Sequence, residues 1–178
     1  MRTGIRTRDL AEAGLLVAIG FVLHAFFPAI LWGMKPDFSL AMMFIVLIVK
    51  KDLKLGFIVA LATGIFTALT TTFPGGQYAN LIDKFITYLA VSGLVYLIMG
   101  RVNQQVGVGV ISFLGTLISG AVFLGAAAVL VGLPGPFTIL YYTVVLPAAV
   151  VNTFAALLIY LAFSYSTGLN RQKRVTTN

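Results

Sequence analysis

Polar residues able to hold a ligand are few in this chain, and they gather in two short stretches. One follows Phe73-Pro74-Gly75-Gly76 and reads Gln77-Tyr78-Ala79-Asn80-Leu81-Ile82-Asp83-Lys84. On a helix, Asn80 and Lys84 are four residues apart and stand one above the other, with Gln77 one further turn away. An amide and an ammonium stacked in this way form a clamp suited to a carboxylate. The second stretch, Pro28-Ala29-Ile30-Leu31-Trp32-Gly33-Met34-Lys35-Pro36-Asp37, brings Lys35 and Asp37 as groups that could approach the clamp. The ordinary alternative is that Asp83 and Lys84 are interfacial side chains reaching for water. Gln77 and Asn80 tilt the reading toward a site, because polar groups gathered at membrane depth are costly without a function.

Other residues carry two readings each. Gly75-Gly76 is first a turn, although Gly76 also permits close approach of backbone to a ligand. Trp32, Phe73, Tyr78, Tyr141 and Tyr142 suit an interfacial aromatic belt, and one or two could stack on a flat apolar ligand. His24 reads first as a buried imidazole satisfied by a backbone carbonyl and second as a ligand contact. Asn152 must find a partner inside a helix bundle, either to hold helices together or to reach the site. Gly14 and Ala18, spaced by four, allow close helix approach, within the chain or to a partner.

Several chemistries are excluded. The chain has no cysteine and one histidine, which removes disulfides, thiolate sites and two-histidine metal centres. No Ser/His/Asp set has supporting spacing, no nucleotide-binding loop is present, and no resident cofactor or metal is expected. No acidic residue is expected at mid-membrane depth, which argues against a proton-coupled pump. The net charge of +7 falls between hydrophobic runs, so it sets orientation and does not mark a nucleic-acid surface.

The elements that must position these residues follow from composition. Of 178 residues, 60% are hydrophobic and 10% charged, far from the wetted surface of a soluble domain. The apolar residues form long runs without period-2 alternation, which excludes a membrane β-barrel. Six runs, near 10–27, 38–49, 55–72, 78–99, 106–131 and 137–163, are separated by Pro/Gly or charged joints that stop helices. The expected architecture is all-α: one domain over 1–178, a bundle of six transmembrane helices with tails at 1–8 and 166–178. The second run is short for a span, and Pro147 suggests a kink in the sixth. Arg2, Arg6, Arg8, Lys50, Lys51, Lys54, Arg101, Arg171, Lys173 and Arg174 fall on one side, against Lys35 and Lys84 on the other. The positive-inside rule then puts both termini in the cytoplasm of a multi-pass cell-membrane protein.

Taken together, Gly14-Leu-Leu-Val-Ala18-Ile-Gly-Phe-Val-Leu-His24, Gly33-Met-Lys-Pro-Asp37, Thr70-Thr-Thr-Phe-Pro-Gly-Gly-Gln77, Asn80-Leu-Ile-Asp-Lys84, Val131-Gly-Leu-Pro-Gly135 and Val145-Leu-Pro-Ala-Ala-Val-Val-Asn152 resemble the tryptophan-transporter (TrpP) family. The resemblance covers nearly the whole chain. It implies a prokaryotic, non-enzymatic, substrate-binding S component of an energy-coupling factor (ECF) importer, which captures L-tryptophan outside. Its partners would be a membrane coupling protein and two cytoplasmic ATPases. The small-residue face of the first helix, which meets the coupling protein in such components, maps to Gly14 and Ala18, with glycine replacing the usual first alanine. The resemblance assigns the ligand carboxylate to Lys84 with Asn80 or Gln77, and the ammonium to Asp37. Phe73 and nearby tyrosines would wall the ring, and Asn152 or His24 would accept from the indole N–H.

Overall fold

The architecture is described from a computed structural model, covering residues 4–29 and 34–168. Trp32 and the terminal basic residues Arg2, Arg171, Lys173 and Arg174 lie outside the described residues. Six helices account for the fold: α1 (Thr7–Phe26), α2 (Phe38–Lys50), α3 (Leu53–Thr70), α4 (Gly76–Ile98), α5 (Gln104–Leu130) and α6 (Phe137–Ser166). All but α2 are long and apolar enough to cross a membrane. The joints read from Pro, Gly and charge hold, with helix ends displaced by a few residues. Thr7 opens α1, so the helix begins inside the stretch expected as a tail.

Each start has a local cause. Asp37 caps α2 by accepting from Leu40 N at 3.0 Å, Asp52 caps α3 through Lys54 N and Leu55 N, and Asn103 caps α5 through Val106 N. Gly75 enters α4 in a left-handed conformation, φ 70°, where a β-carbon would be strained. The break expected near Pro147 takes the form of a five-residue π-helical segment, Tyr141–Val145, just before that proline. Proline lacks the N–H for an α-helical bond, and a wider turn accommodates this loss.

The short helix is the centre of the bundle. At about 1.5 Å per residue, the 13 residues of α2 rise only about 20 Å, against a hydrocarbon core of roughly 30 Å. Ten of those residues, from Ser39 through Ile48, are buried, and α2 packs on α1, α3, α4, α5 and α6. It is therefore enclosed by protein and need not match the bilayer. The five long helices have the reverse pattern, with large apolar side chains such as Leu15, Leu69, Leu89, Phe154 and Leu158 exposed for lipid.

The α1–α2, α3–α4 and α5–α6 connections meet at one end, the cavity end. The α2–α3 and α4–α5 connections, with Lys50, Lys51, Lys54 and Arg101, form the basic end. There Lys50 donates to Asp9 at 2.7 Å and to Glu12, tying the last turn of α2 to the first turns of α1. Arg6 and Arg8 pair with the same two carboxylates.

Gly14 and Gly20 on α1 differ sharply. A β-carbon at Gly20 would lie 2.9 Å from Ser39 Cα and 2.8 Å from Met42 Cγ, whereas one at Gly14 meets nothing within 4 Å. Gly20 thus sets the α1–α2 approach, while Gly14 and Ala18 lie on an exposed face. Gly20→Leu should lower stability by about 1–3 kcal/mol through overpacking. Gly14→Leu should stay within about 0.5 kcal/mol. Thermal unfolding of the two variants in detergent checks the contrast.

Candidate functional site

A cavity opens among the helix ends at the cavity end, with about 630 Å³ free of protein atoms counted out to its mouth. His24, Lys35, Asp37, Phe73, Asn80, Lys84 and Asn152 all line it, so residues spread over more than 120 positions of sequence converge. Gln77 is exposed and does not line the cavity; Gly76 is buried beside it, and its carbonyl accepts from Asn80 Nδ2 at 3.0 Å. Tyr78 and Tyr142 also point away, at 69% and 68% exposed.

The electrostatic centre is Lys84, a lysine only 2% exposed. Its ammonium meets Asp37 Oδ2 at 2.7 Å and also contacts Asp83 Oδ2. Asp83, 1% exposed, receives two further hydrogen bonds: Thr87 Oγ1 donates to Oδ1 and Ser119 Oγ to Oδ2, each at 2.8 Å. Asp37 divides its carboxylate, Oδ2 to Lys84 and Oδ1 to the Leu40 N–H. His24 Nδ1 stands 3.5 Å from Asp37 Oδ1 without hydrogen-bond geometry.

In the connection between α1 and α2, burial pushes the Asp37 carboxyl up, but Lys84 and the Leu40 N–H bring it below its usual range. Burial lowers the Lys35 ammonium, and the nearby Asp37 partly offsets that. Counting Lys35 and Lys84 against Asp37 and Asp83, with His24 neutral, the formal charge around the cavity sums to zero.

Toward the mouth from this charged cluster the lining is aromatic. Phe73 and Phe123 meet edge to face, with ring centroids 5.5 Å apart, and Met34 joins them. Ser119 and Thr116 are separated by about one turn of α5, so Thr116 and its neighbour Asn152 lie about one turn deeper than Asp83. Asn152 Nδ2 reaches Thr116 Oγ1 at 3.5 Å, whereas its Oδ1 is buried without a hydrogen-bond partner. A buried carbonyl oxygen without a donor is costly, and a ligand N–H arriving in the cavity would relieve it.

Asp83, Ser119 and Thr116 also line the cavity, and spacing did not single them out. Adjacent residues on a helix diverge by about 100°, so Asp83 and Lys84 read as facing different ways. The flexible lysine stem returns its ammonium to the neighbouring carboxylate. The one available signal was Thr87, four residues after Asp83 and therefore on its face. Asp83 also sits about 10 Å into α4 from Gly76, a buried acid where none was expected in the span. Among the described residues, no group of His, Asp and Glu is arranged to hold a metal.

Comparison with known proteins adds independent information. A family model described as "Tryptophan transporter TrpP" matches residues 6–167. A protein of Clostridium acetobutylicum named "Probable tryptophan transport protein" is 41% identical over 159 residues, covering 89% of this chain and 93% of the relative. Proteins of the same name from Clostridium perfringens and Bacillus subtilis are 41% and 40% identical, each covered to 90% of its length. No solved structure matches. With five helices suited to crossing a membrane, these relationships identify a multi-pass protein of a prokaryotic cell membrane.

Removing the lysine from this cluster leaves the buried Asp83 carboxylate and the partly buried Asp37 carboxylate without their cation. Lys84→Met should therefore cost about 3–5 kcal/mol in the ligand-free protein. Adding Asp83→Asn to that variant should recover part of the loss, read as a rise in unfolding temperature over Lys84→Met alone.

Proposed function

The chain belongs to the tryptophan transporter (TrpP) family, and from that premise we propose that it is the membrane-embedded substrate-binding S component of an ECF-type importer. In this reading it captures L-tryptophan from outside and delivers it through a separate coupling protein and two cytoplasmic ATPases. The whole chain, 1–178, acts as one six-helix domain with both termini in the cytoplasm. The cavity end then faces outward and the basic end inward, in keeping with the positive-inside rule.

The observation that carries the reading is the cavity's combination of a neutral, alternating charge cluster with apolar, aromatic walls toward its mouth. A zwitterion fits it by entering the Asp37–Lys84 pair. The ligand carboxylate takes Asp37's place on Lys84, and the ligand ammonium takes Lys84's place on Asp37. Asp83, held by Thr87 and Ser119, keeps Lys84 charged and fixed during that exchange. The resulting row alternates in sign from Asp83 to Asp37, so no buried charge is left unpaired.

Asn80, which lines the cavity, is better sited than the exposed Gln77 as a second donor to the carboxylate. Phe73 and Phe123 wall the ring on its mouth side, and Asn152 Oδ1 on the inner side receives the indole N–H, leaving His24 beside Asp37. Gly14 and Ala18 supply a small-residue face on which the coupling protein docks. Its exposure supports that role over internal packing.

A second reading has one observation in its favour. The partly buried acid Asp37 and the buried acid Asp83 are also what an ion-coupled, self-sufficient carrier would use. Tryptophan uptake into liposomes that contain this chain and no ATPase would establish that alternative.

Calorimetry on the detergent-purified chain tests the primary reading. Tryptophan should bind, while tryptamine and indole-3-propionate, each lacking one charge, should bind about ten- to a hundredfold more weakly. Absence of tryptophan binding would overturn the assignment. Asn152→Leu should lower tryptophan affinity by about tenfold while leaving phenylalanine affinity near its original value.

A further inference from the structure

At the basic end there is a second concavity, separate from the ligand cavity. Its walls come from the end of α2 and from α3 and α4, with Leu47, Leu53, Leu89, Val95 and Met99 giving an apolar lining. The groove holds about 1350 Å³ counted out to its open side. Gly93 leaves it unfilled along α4, since a β-carbon there would meet nothing within 4 Å.

Two polar features break the apolar surface, and they occur in order of depth. Lys51, held in the left-handed region at φ 51°, stands at the mouth with Lys54 exposed nearby. No salt bridge among the described residues reaches either lysine. Asp52 is also at the mouth, but its carboxylate accepts from Lys54 N and Leu55 N as the cap of α3. Deeper in, Ser92 Oγ is buried without a hydrogen-bond partner. The Tyr88 hydroxyl in the same wall is occupied, donating to Leu53 O at 2.9 Å. A shallower depression bordered by Gly100, Val102 and Gln104 adjoins the groove at Lys51 and Met99.

We propose that this groove seats one anionic phospholipid. The order of its chemistry, cation at the mouth, one free hydroxyl below and apolar walls beyond, is that of a phosphate, a glycerol ester and an acyl chain. Lys51 pairs with the phosphate, Ser92 donates to an ester carbonyl, and the chain lies over Gly93 between Leu89 and Val95. The headgroup extends toward the depression beside the α4–α5 turn. Basic residues next to an anionic leaflet attract such lipids, and an apolar chain fills space that side chains leave empty. The site is independent of tryptophan recognition, because none of its residues lines the ligand cavity.

Native mass spectrometry of the purified chain, offered phosphatidylglycerol or phosphatidylcholine of the same acyl composition, tests the proposal. One phosphatidylglycerol should be retained per chain, about fivefold in preference to phosphatidylcholine. Lys51→Asn, whose asparagine tolerates the left-handed conformation, should bring the two lipids to near parity. Gly93→Phe should abolish retention of both, with an unchanged unfolding temperature showing that the fold is intact. Equal retention of both lipids by the unaltered chain would overturn the proposal. So would a Gly93→Phe variant that keeps its lipid, including one that instead loses association with a coupling protein.

Discussion

A lysine ammonium removed from water must be neutralised where it lies, and the cavity end of this protein is arranged around that requirement at Lys84. An isolated buried charge costs several kcal/mol, and lipid offers no compensation. Two carboxylates answer it, one from the α1–α2 connection and one from the residue next to it on α4. The second carboxylate then needs its own donors, which are Thr87 and, from α5, Ser119. A single charge thus draws together α2, α4 and α5 and fixes the walls of the cavity.

The same physics explains how a helix too short to span the bilayer can sit at the bundle's centre. Enclosed by protein, α2 is held at both ends by ion pairs whose signs suit its dipole. Asp37 stands at its N-terminus and Lys50 in its last turn. The carboxylates of α1 hold one end and the lysine of α4 the other. Because Asp37 both caps α2 and contacts Lys84, the element that most defines the interior begins at the cavity. Leu40, one turn into α2, lines that cavity directly.

Much of this was legible in the sequence. Clusters of proline, glycine and charge marked every joint, because together they interrupt a helix by local backbone effects. The lone Pro147 only perturbs α6 through its π-helical segment. Lys84, Asn80, Asp37, His24 and Asn152 were recognisable as polar groups in apolar surroundings, and the structure brings all five to one cavity. What stayed hidden depended on side-chain reach and on tertiary neighbours. Spacing cannot show that Lys84 bends back to Asp83, or that Ser119 completes that carboxylate. Nor can it tell that Gly20 faces α2 while Gly14 faces outward, since both are small residues on one apolar helix. A helix buried all round, like α2, has no polar face to reveal its surroundings. Gln77 fell outside the cavity because α4 begins at Gly76, which leaves Gln77 exposed in its first turn.

The central claim is that a zwitterion enters the Asp37–Lys84 ion pair while Asp83 holds the lysine in place. An experimental structure of the chain with bound tryptophan tests it most directly. The account predicts the ligand carboxylate on Lys84 Nζ and its ammonium on Asp37, each at about 2.7–2.9 Å, with the direct Asp37–Lys84 contact opened. Tryptophan bound with that contact intact, or bound outside the cavity, would contradict it.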